Sequence, residues 1–279
     1  MPKPLLIALI CTACIVLVFL TAWIIWGNSA LTKSTYIISG SKLPSSFDGF
    51  VIAHISDLHN CQFGKDNGNL LKMLRDAKPD MIAITGDLVD SRRTNISVSM
   101  QFIEEAVKIA PCYYVTGNHE ARISKYPELK QQLINAGVTV LDDKCRKIEI
   151  DGEIINIIGL DDPTFFKGNH KETVKSKLET LCPGNGNYTI LLIHRPELFD
   201  IYADAGIDLV LSGHAHGGQF RLPLLGGVIA PNQGLFPKYD AGLFQQNETK
   251  MIISRGLCDT VFPPRFNNRP ELVIITLAS

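Results

Sequence analysis

The segment Gly213-His214-Ala215-His216-Gly217-Gly218-Gln219 carries the strongest chemical signal in the chain. An apolar run at 207–211 precedes it and reads as a short buried strand. Two imidazoles one residue apart on an extended segment point to the same side. That suits two nitrogen ligands, for one metal ion or for two neighbouring ions. The flanking glycines let the backbone turn sharply and approach an anion. A lone His-x-His is weak evidence, so the question is whether other strand ends supply more ligands. Asp57 and His59 follow an apolar run at 50–55, Asp87 follows 80–85, Asn118 and His119 follow 112–116, and His194 follows 188–193. In open α/β sheets, sites form outside the carboxyl ends of strands. Five of the seven histidines fall in these segments, where random placement would scatter them. The donors are carboxylate, imidazole and one amide oxygen, with no cysteine, which favours Mn, Fe or Zn over a thiolate zinc site. So many side chains exceed what one tetrahedral ion takes. They suit two divalent ions about 3.5–4 Å apart that share a carboxylate and clamp phosphoryl oxygens during in-line displacement.

Each residue also has a plainer reading. Asp57 and Asn118 alone fit turns, and Asp87 a helix N-cap; their company argues for metal. His54 lies mid-strand and reads as a core histidine, and His170 as a solvated loop residue. Arg195 follows His194, either to bind a substrate phosphate or simply to start a helix. Arg92 and Arg93 read as a solvated pair, and Arg255 and Arg265 as salt-bridge partners. Asp90, Asp161 and Asp162 read as turn residues. Gln219 is a further candidate for substrate contact.

The elements that must position these groups alternate at first. Strands at 50–55, 80–85 and 112–116 are separated by helices at 69–78 and 96–110, and a helix at 127–136 follows. Strand-like segments then dominate, at 138–141, 145–150 and 153–160, with Asp151-Gly152 as the hairpin turn between the last two. Helices at 171–181 and 196–205 flank the strand at 188–193, and further strands are expected at 228–229, 251–254 and 272–277. The order predicts an α/β fold, a four-layer αββα sandwich of two mixed sheets with helices outside.

From Leu5 to Trp26 there is no charged residue. At ~1.5 Å per residue this stretch covers a bilayer core, with Trp23 and Trp26 at the far interface. The expected division is a transmembrane anchor at 1–27, a linker with a first edge strand near 36–38 at 28–48, and one domain at 49–279. Lys3 and the amino terminus place the N-terminus in the cytoplasm and the domain outside it. A cleaved signal peptide is the competing reading, weakened by the length of the apolar run. Of seven cysteines, Cys61, Cys112, Cys145, Cys182 and Cys258 lie beyond the anchor, an odd number at irregular spacing. They suggest neither a disulfide framework nor a zinc knuckle, and fit a bacterial envelope protein with little extracytoplasmic oxidation. A net charge of −1 gives no support for nucleic-acid binding.

Asp57-Leu58-His59, Gly86-Asp87, Gly117-Asn118-His119-Glu120, His194 and Gly213-His214-Ala215-His216 together resemble the calcineurin-like metallophosphoesterase superfamily, in the family's order. The resemblance implies that Asp57, His59 and His216 hold one metal, that Asn118, His194 and His214 hold a second, and that Asp87 bridges them. It implies hydrolysis of a phosphodiester or pyrophosphate bond by metal-activated hydroxide, with His119 assisting the leaving group and Glu120 orienting His119. The anchor, the extended Gly-His-x-His-Gly-Gly-Gln and the tail Arg265-Phe266-Asn267-Asn268-Arg269-Pro270-Glu271 resemble the bacterial membrane-associated branch. That branch includes a Bacillus cell-wall-associated phosphodiesterase and UDP-diacylglucosamine pyrophosphohydrolases. A phosphorylated substrate, lipid-linked or associated with the cell wall, is the expected partner. Phe220, Leu222, Leu224 and Leu225 bring the site near lipid, unless they simply pack. The rival functions are a lipid or nucleotide-sugar pyrophosphohydrolase and a non-catalytic metal-dependent assembly protein at the membrane.

Overall fold

Alternation along the apolar runs assigns each side chain to one of two faces. The computed structural model, which describes residues 2–182, 184–258 and 265–279, shows which faces meet. In chain order the first half gives α1 (Lys3–Ser29), β1 (Thr32–Ser39), β2 (Val51–Ile55), α2 (Gly68–Ala77), β3 (Met81–Thr85), α3 (Ile96–Ala106), β4 (Cys112–Val115) and α4 (Tyr126–Asn135). Then come β5 (Thr139–Val140), β6 (Lys144–Ile150), β7 (Glu153–Gly159), α5 (His170–Leu181), β8 (Thr189–Leu192), α6 (Phe199–Asp204) and β9 (Leu209–Ser212). Two small hairpins follow, β10 (Arg221–Leu222) with β11 (Gly226–Gly227) and β12 (Ile229–Ala230) with β13 (Gly234–Leu235). The last strands are β14 (Gly242–Gln246), β15 (Thr249–Ile253) and β16 (Glu271–Ala278).

Two mixed six-stranded sheets result, in the orders β1-β16-β2-β3-β4-β5 and β14-β15-β9-β8-β7-β6. Ile52 of β2 and Ile190 and Leu192 of β8 meet between the sheets, beside Leu209 and Ile275. Their neighbours point the other way. Ala53 and Ile55 pack under α2, α3 and α4 through Leu70, Phe102 and Leu129. Leu191 and Ile193 pack under α5 and α6 through Leu178 and Tyr202. The period of two thus generates the four-layer αββα sandwich expected from the sequence. Asp151 and Gly152 turn the β6–β7 hairpin with φ of 50° and 82°, the left-handed pair such a turn needs.

Some local expectations are corrected. The helix predicted over 96–110 ends at Ala106. The one predicted over 196–205 begins as a 3-10 turn, Pro196–Leu198, before α6. β14 was not anticipated, because Gly-Leu-Phe-Gln-Gln on an edge lacks the β-branched character of a central strand. β1 runs parallel to β16 at the sheet edge and joins α1 directly to the domain. Among the cysteines, Cys61 and Cys258 form a disulfide across 197 residues, with Cα atoms 6.2 Å apart. Irregular spacing concealed it, because its partners lie on loops that only the fold brings together. Helix α1 is long and apolar enough to cross a membrane, and none of its residues is buried.

Candidate metal centre

The strands of both sheets deliver their carboxyl ends to one rim. There the chain leaves extended geometry abruptly. Asp57, His59, Asp87, His214 and His216 have φ of 56°, 46°, 50°, 66° and 48°, in the left-handed region that residues with a Cβ seldom adopt. Such outliers persist only where surroundings enforce them, and they cluster at functional sites. Here the loops brace one another. The N–H of Asp57 donates to the Gly86 carbonyl (3.1 Å), and that of His59 to the Asp87 carbonyl (3.0 Å). Gly213 is required for close approach, since a Cβ there would lie 1.8 Å from Ser56 Oγ.

Two groups of side chains form at this rim. One is Asp57, His59, Asp87 and His216; the other is Asp87, His194 and His214. Asp87 belongs to both. Its Oδ2 lies 3.2 Å from His194 Nε2 and 3.7 Å from His59 Nε2. Its Oδ1 accepts the backbone N–H of His119 at 2.7 Å. The His-x-His geometry differs from the expectation. Ala215 is helical and both histidines are left-handed, so the segment is a turn, not a strand. The imidazoles therefore diverge, one into each group.

The donor set fits a metal. Asp57 Oδ1, His59 Nε2 and Asn118 Oδ1 are buried with no hydrogen-bond partner. Such atoms are costly unless a cation meets them. His59 Nε2 and Asp57 Oδ1 stand 3.8 Å apart, too far for a hydrogen bond and close enough to share an ion. His194 Nδ1 donates to the Thr85 carbonyl at 2.7 Å, which turns Nε2 toward Asp87. His214 Nδ1 faces His194 Nε2 at 3.2 Å. Burial, and then the charge of Arg195, hold His214 well below the ordinary histidine pKa and so uncharged. Burial also lowers His59, to about 4. His194 goes the other way, to about 10: burial opposes the shift, but Asp87 overcomes it. The carboxylates favour positive charge at the centre. His54 is the core histidine expected, buried with Nε2 2.8 Å from Thr85 Oγ1.

His119 stands beside these groups. Ser91 donates its backbone N–H to His119 Nδ1 at 2.9 Å, and Asp90 Oδ1 lies 3.6 Å from the same atom. The accepted bond fixes the tautomer with the proton on Nε2, and Nε2 lies 4.0 Å from Asp87 Oδ2. Glu120 does not orient this ring. Its carboxylate accepts the backbone N–H groups of Asp87, Leu88, Val89 and Gly117 at 2.7–3.2 Å. It holds the Asp87 loop instead. Glu120→Gln replaces an acceptor oxygen with an N–H₂ group facing donors, leaving about two buried N–H groups unmatched at ~1–3 kcal/mol each. The variant should melt about 5–10 °C lower; a melting temperature within a degree of the parent contradicts this role.

Arg195 is almost fully buried. Its Nε and Nη2 fork onto the Asp162 carboxylate at 2.6 and 3.0 Å, and Nη1 lies 2.9 Å from His214 Nε2. Arg195 thus braces a proposed ligand, and Asp162 is both its buried partner and the turn residue expected, accepting the Thr164 N–H at 2.8 Å. Asp161 is likewise engaged, accepting from Thr116 Oγ1 at 2.8 Å. Asp90, Asp162 and Ser91 are the site residues that sequence reasoning missed. Asp162 lies just past the end of β7, so the strand-end rule that found the others would have flagged it.

A family model described as calcineurin-like phosphoesterase matches residues 50–218, which contain every residue named in the two groups. The uncharacterized metallophosphoesterase YkuE of Bacillus subtilis is 31% identical over 261 residues, covering 89% of this chain and 86% of that protein. The phosphodiesterase YaeI of Escherichia coli is 29% identical over 238 residues, covering 82% of each. A solved dimetal phosphatase from Danio rerio has a TM-score of 0.50 at 13% identity, covering 83% of this chain and 100% of that one, a likeness of fold. With the family model matching more than half of it and a relative above 30% identity along most of its length, the chain belongs to the calcineurin-like phosphoesterases and is a phosphoesterase hydrolase.

Proposed function

We propose that the chain is a membrane-anchored hydrolase of a phosphodiester or pyrophosphate bond that works with two divalent ions. Asp57, His59, Asp87 and His216 would hold one, and Asp87, Asn118, His194 and His214 the other. The observation that carries this reading is the placement of Asp87 in both groups. When bound, the ions supply Lewis acidity, activating water as a nucleophile and neutralising phosphoryl oxygens. The chain's own contribution is positional and protonic. His119, uncharged because burial lowers its pKa, presents Nε2–H toward the site and assists the leaving oxygen by hydrogen-bonding to its developing charge. Ser91 keeps the ring in that pose. Arg195 acts through His214 and not on substrate.

Helix α1 and the hairpins after His216 support a substrate at the membrane. Leu224, Leu225, Leu235 and Phe236 are exposed, against the plainer reading that this loop packs. Lys3, at the start of α1, supports a cytoplasmic N-terminus and an extracytoplasmic domain. The name of the relative YaeI, a phosphodiesterase, supports a diester.

The test uses the full chain in detergent, stripped of metal and resupplied with Mn or Zn. Bis-p-nitrophenyl phosphate should turn over faster than the monoester. His119→Gln should lower kcat roughly 10²–10³-fold with metal content unchanged. Faster cleavage of a lipid-linked diphosphate than of any diester selects the pyrophosphohydrolase alternative. Two bound metals without turnover of any of these substrates would leave only the binding role.

A further inference from the structure

The end of α1 is fastened to the segment that follows the metal loops. Asn28 Nδ2 donates to the Arg265 carbonyl at 3.1 Å, and the Arg265 N–H donates to Asn28 Oδ1 at 2.8 Å. Arg269 lies with its guanidinium 4.7 Å from the Trp26 ring centre, and two of its N–H groups reach the Ala30 and Leu31 carbonyls at 2.9 and 2.6 Å. Between α1 and this segment opens a cavity of about 310 Å³. Trp23 and Trp26 form one wall, and Arg255, Arg265, Asn268 and Arg269 line the rest. Among the described lining residues there is no carboxylate. Glu271 stands 3.7 Å from Arg255 Nε but already accepts the Arg255 N–H and the Ser34 hydroxyl. Arg255 Nε is itself buried without a hydrogen-bond partner.

We propose that this cavity binds the phosphate group of an anionic phospholipid, at a site separate from the metal centre. The inference rests on α1 spanning the bilayer. The two tryptophans near its end then lie at headgroup depth, where indoles are favoured. Arginines at that depth meet lipid phosphates through charge-assisted, forked hydrogen bonds. A lipid phosphate would supply the hydrogen-bond acceptor that Arg255 Nε lacks and would tie the anchor's depth to the rim carrying the metal ligands. Asn268, in the cavity wall, donates to the His216 carbonyl at 2.6 Å, so the two sites share a brace.

Trp23 and Trp26 are the chain's only tryptophans, so indole fluorescence reports this cavity. The full chain in detergent would be titrated with dioctanoyl-phosphatidylglycerol, with dioctanoyl-phosphatidylcholine and with inorganic phosphate. The expected result is a saturable change with phosphatidylglycerol only, about tenfold weaker in Arg255→Gln and in Arg269→Gln. Two variants are used because Arg269 also braces the backbone. Equal responses to both lipids mean apolar partition and overturn the site. An equal response to inorganic phosphate makes it a small-anion site and overturns the lipid assignment. Turnover of the diester and resistance of the chain to carbonate extraction from membranes are measured in parallel. Failure of either strikes the proposed function or the anchor, whereas silent fluorescence with both intact strikes the lipid site alone.

Discussion

Asp87→Ala should abolish phosphoester hydrolysis, lowering turnover by about 10³-fold or more, on the order of 4 kcal/mol of transition-state stabilisation. Asp87 is fully buried and faces both groups of candidate ligands. Its charge sets their electrostatics: it draws a proton onto His194 and is itself held well below the ordinary carboxylate pKa, burial opposing and His194 prevailing. Removing it leaves each group one donor short and frees the His119 N–H from Oδ1. Two readouts separate the causes. Metal content should fall below that of the parent, and added Mn or Zn should restore turnover only partly. Asp87→Asn keeps an oxygen for the His119 N–H but loses the charge. It should therefore keep the melting temperature near that of the parent while remaining catalytically crippled. Retention of more than a tenth of parental turnover in Asp87→Ala would falsify the shared-carboxylate reading.

Asp162→Ala should be the most destabilising single change at the site, by roughly 3–5 kcal/mol. Both partners of the Asp162–Arg195 fork are buried, and Arg195 also presses on His214. Without Asp162 the buried guanidinium keeps only the longer carboxylate contact, of Nη1 with Glu197 at 3.4 Å, beside His214. The double change Asp162→Leu with Arg195→Met removes both charges and should recover most of the loss, as buried pairs replaced by apolar residues often do. Urea denaturation of the three variants decides it; equal losses in single and double variants would contradict the pairing. Burial raises the Asp162 pKa, but Arg195 brings it below the ordinary value. The pair's stabilisation is thus present at neutral pH and is lost only as acid titrates the carboxylate.

Much of this is legible in the sequence. The strand-end groups could be found because chemistry and topology coincide: an apolar run stops, and the next residues are Asp, His or Asn. The layers followed from alternation of period two and apolar helical faces. What was not legible depended on contacts far apart in the chain. Asp162 reaches Arg195 across 33 residues, and Cys61 reaches Cys258 across 197. A local pattern can flag Asp162 at a strand end, but neither pairing is encoded locally. His214 and His216 were misread as extended because spacing alone does not show where a strand gives way to left-handed turns. The resemblance implies that Glu120 orients His119, whereas its oxygens take the N–H of Gly117 and three N–H groups about thirty residues away.

The order of the first sheet places β16 between β1 and β2. The strand that joins α1 to the domain therefore has no sheet neighbour until Glu271–Ala278 is available. β2, β3 and β4 can assemble earlier, since they pair with one another in parallel. During synthesis the half-built domain would hang from α1 with one face of its interior uncovered, and such long-range closure is slow. If the domain crosses the membrane, the step that seats it against its anchor must follow export of that strand. Damage to β16 would then be felt at the opposite end of the chain, where the domain joins α1.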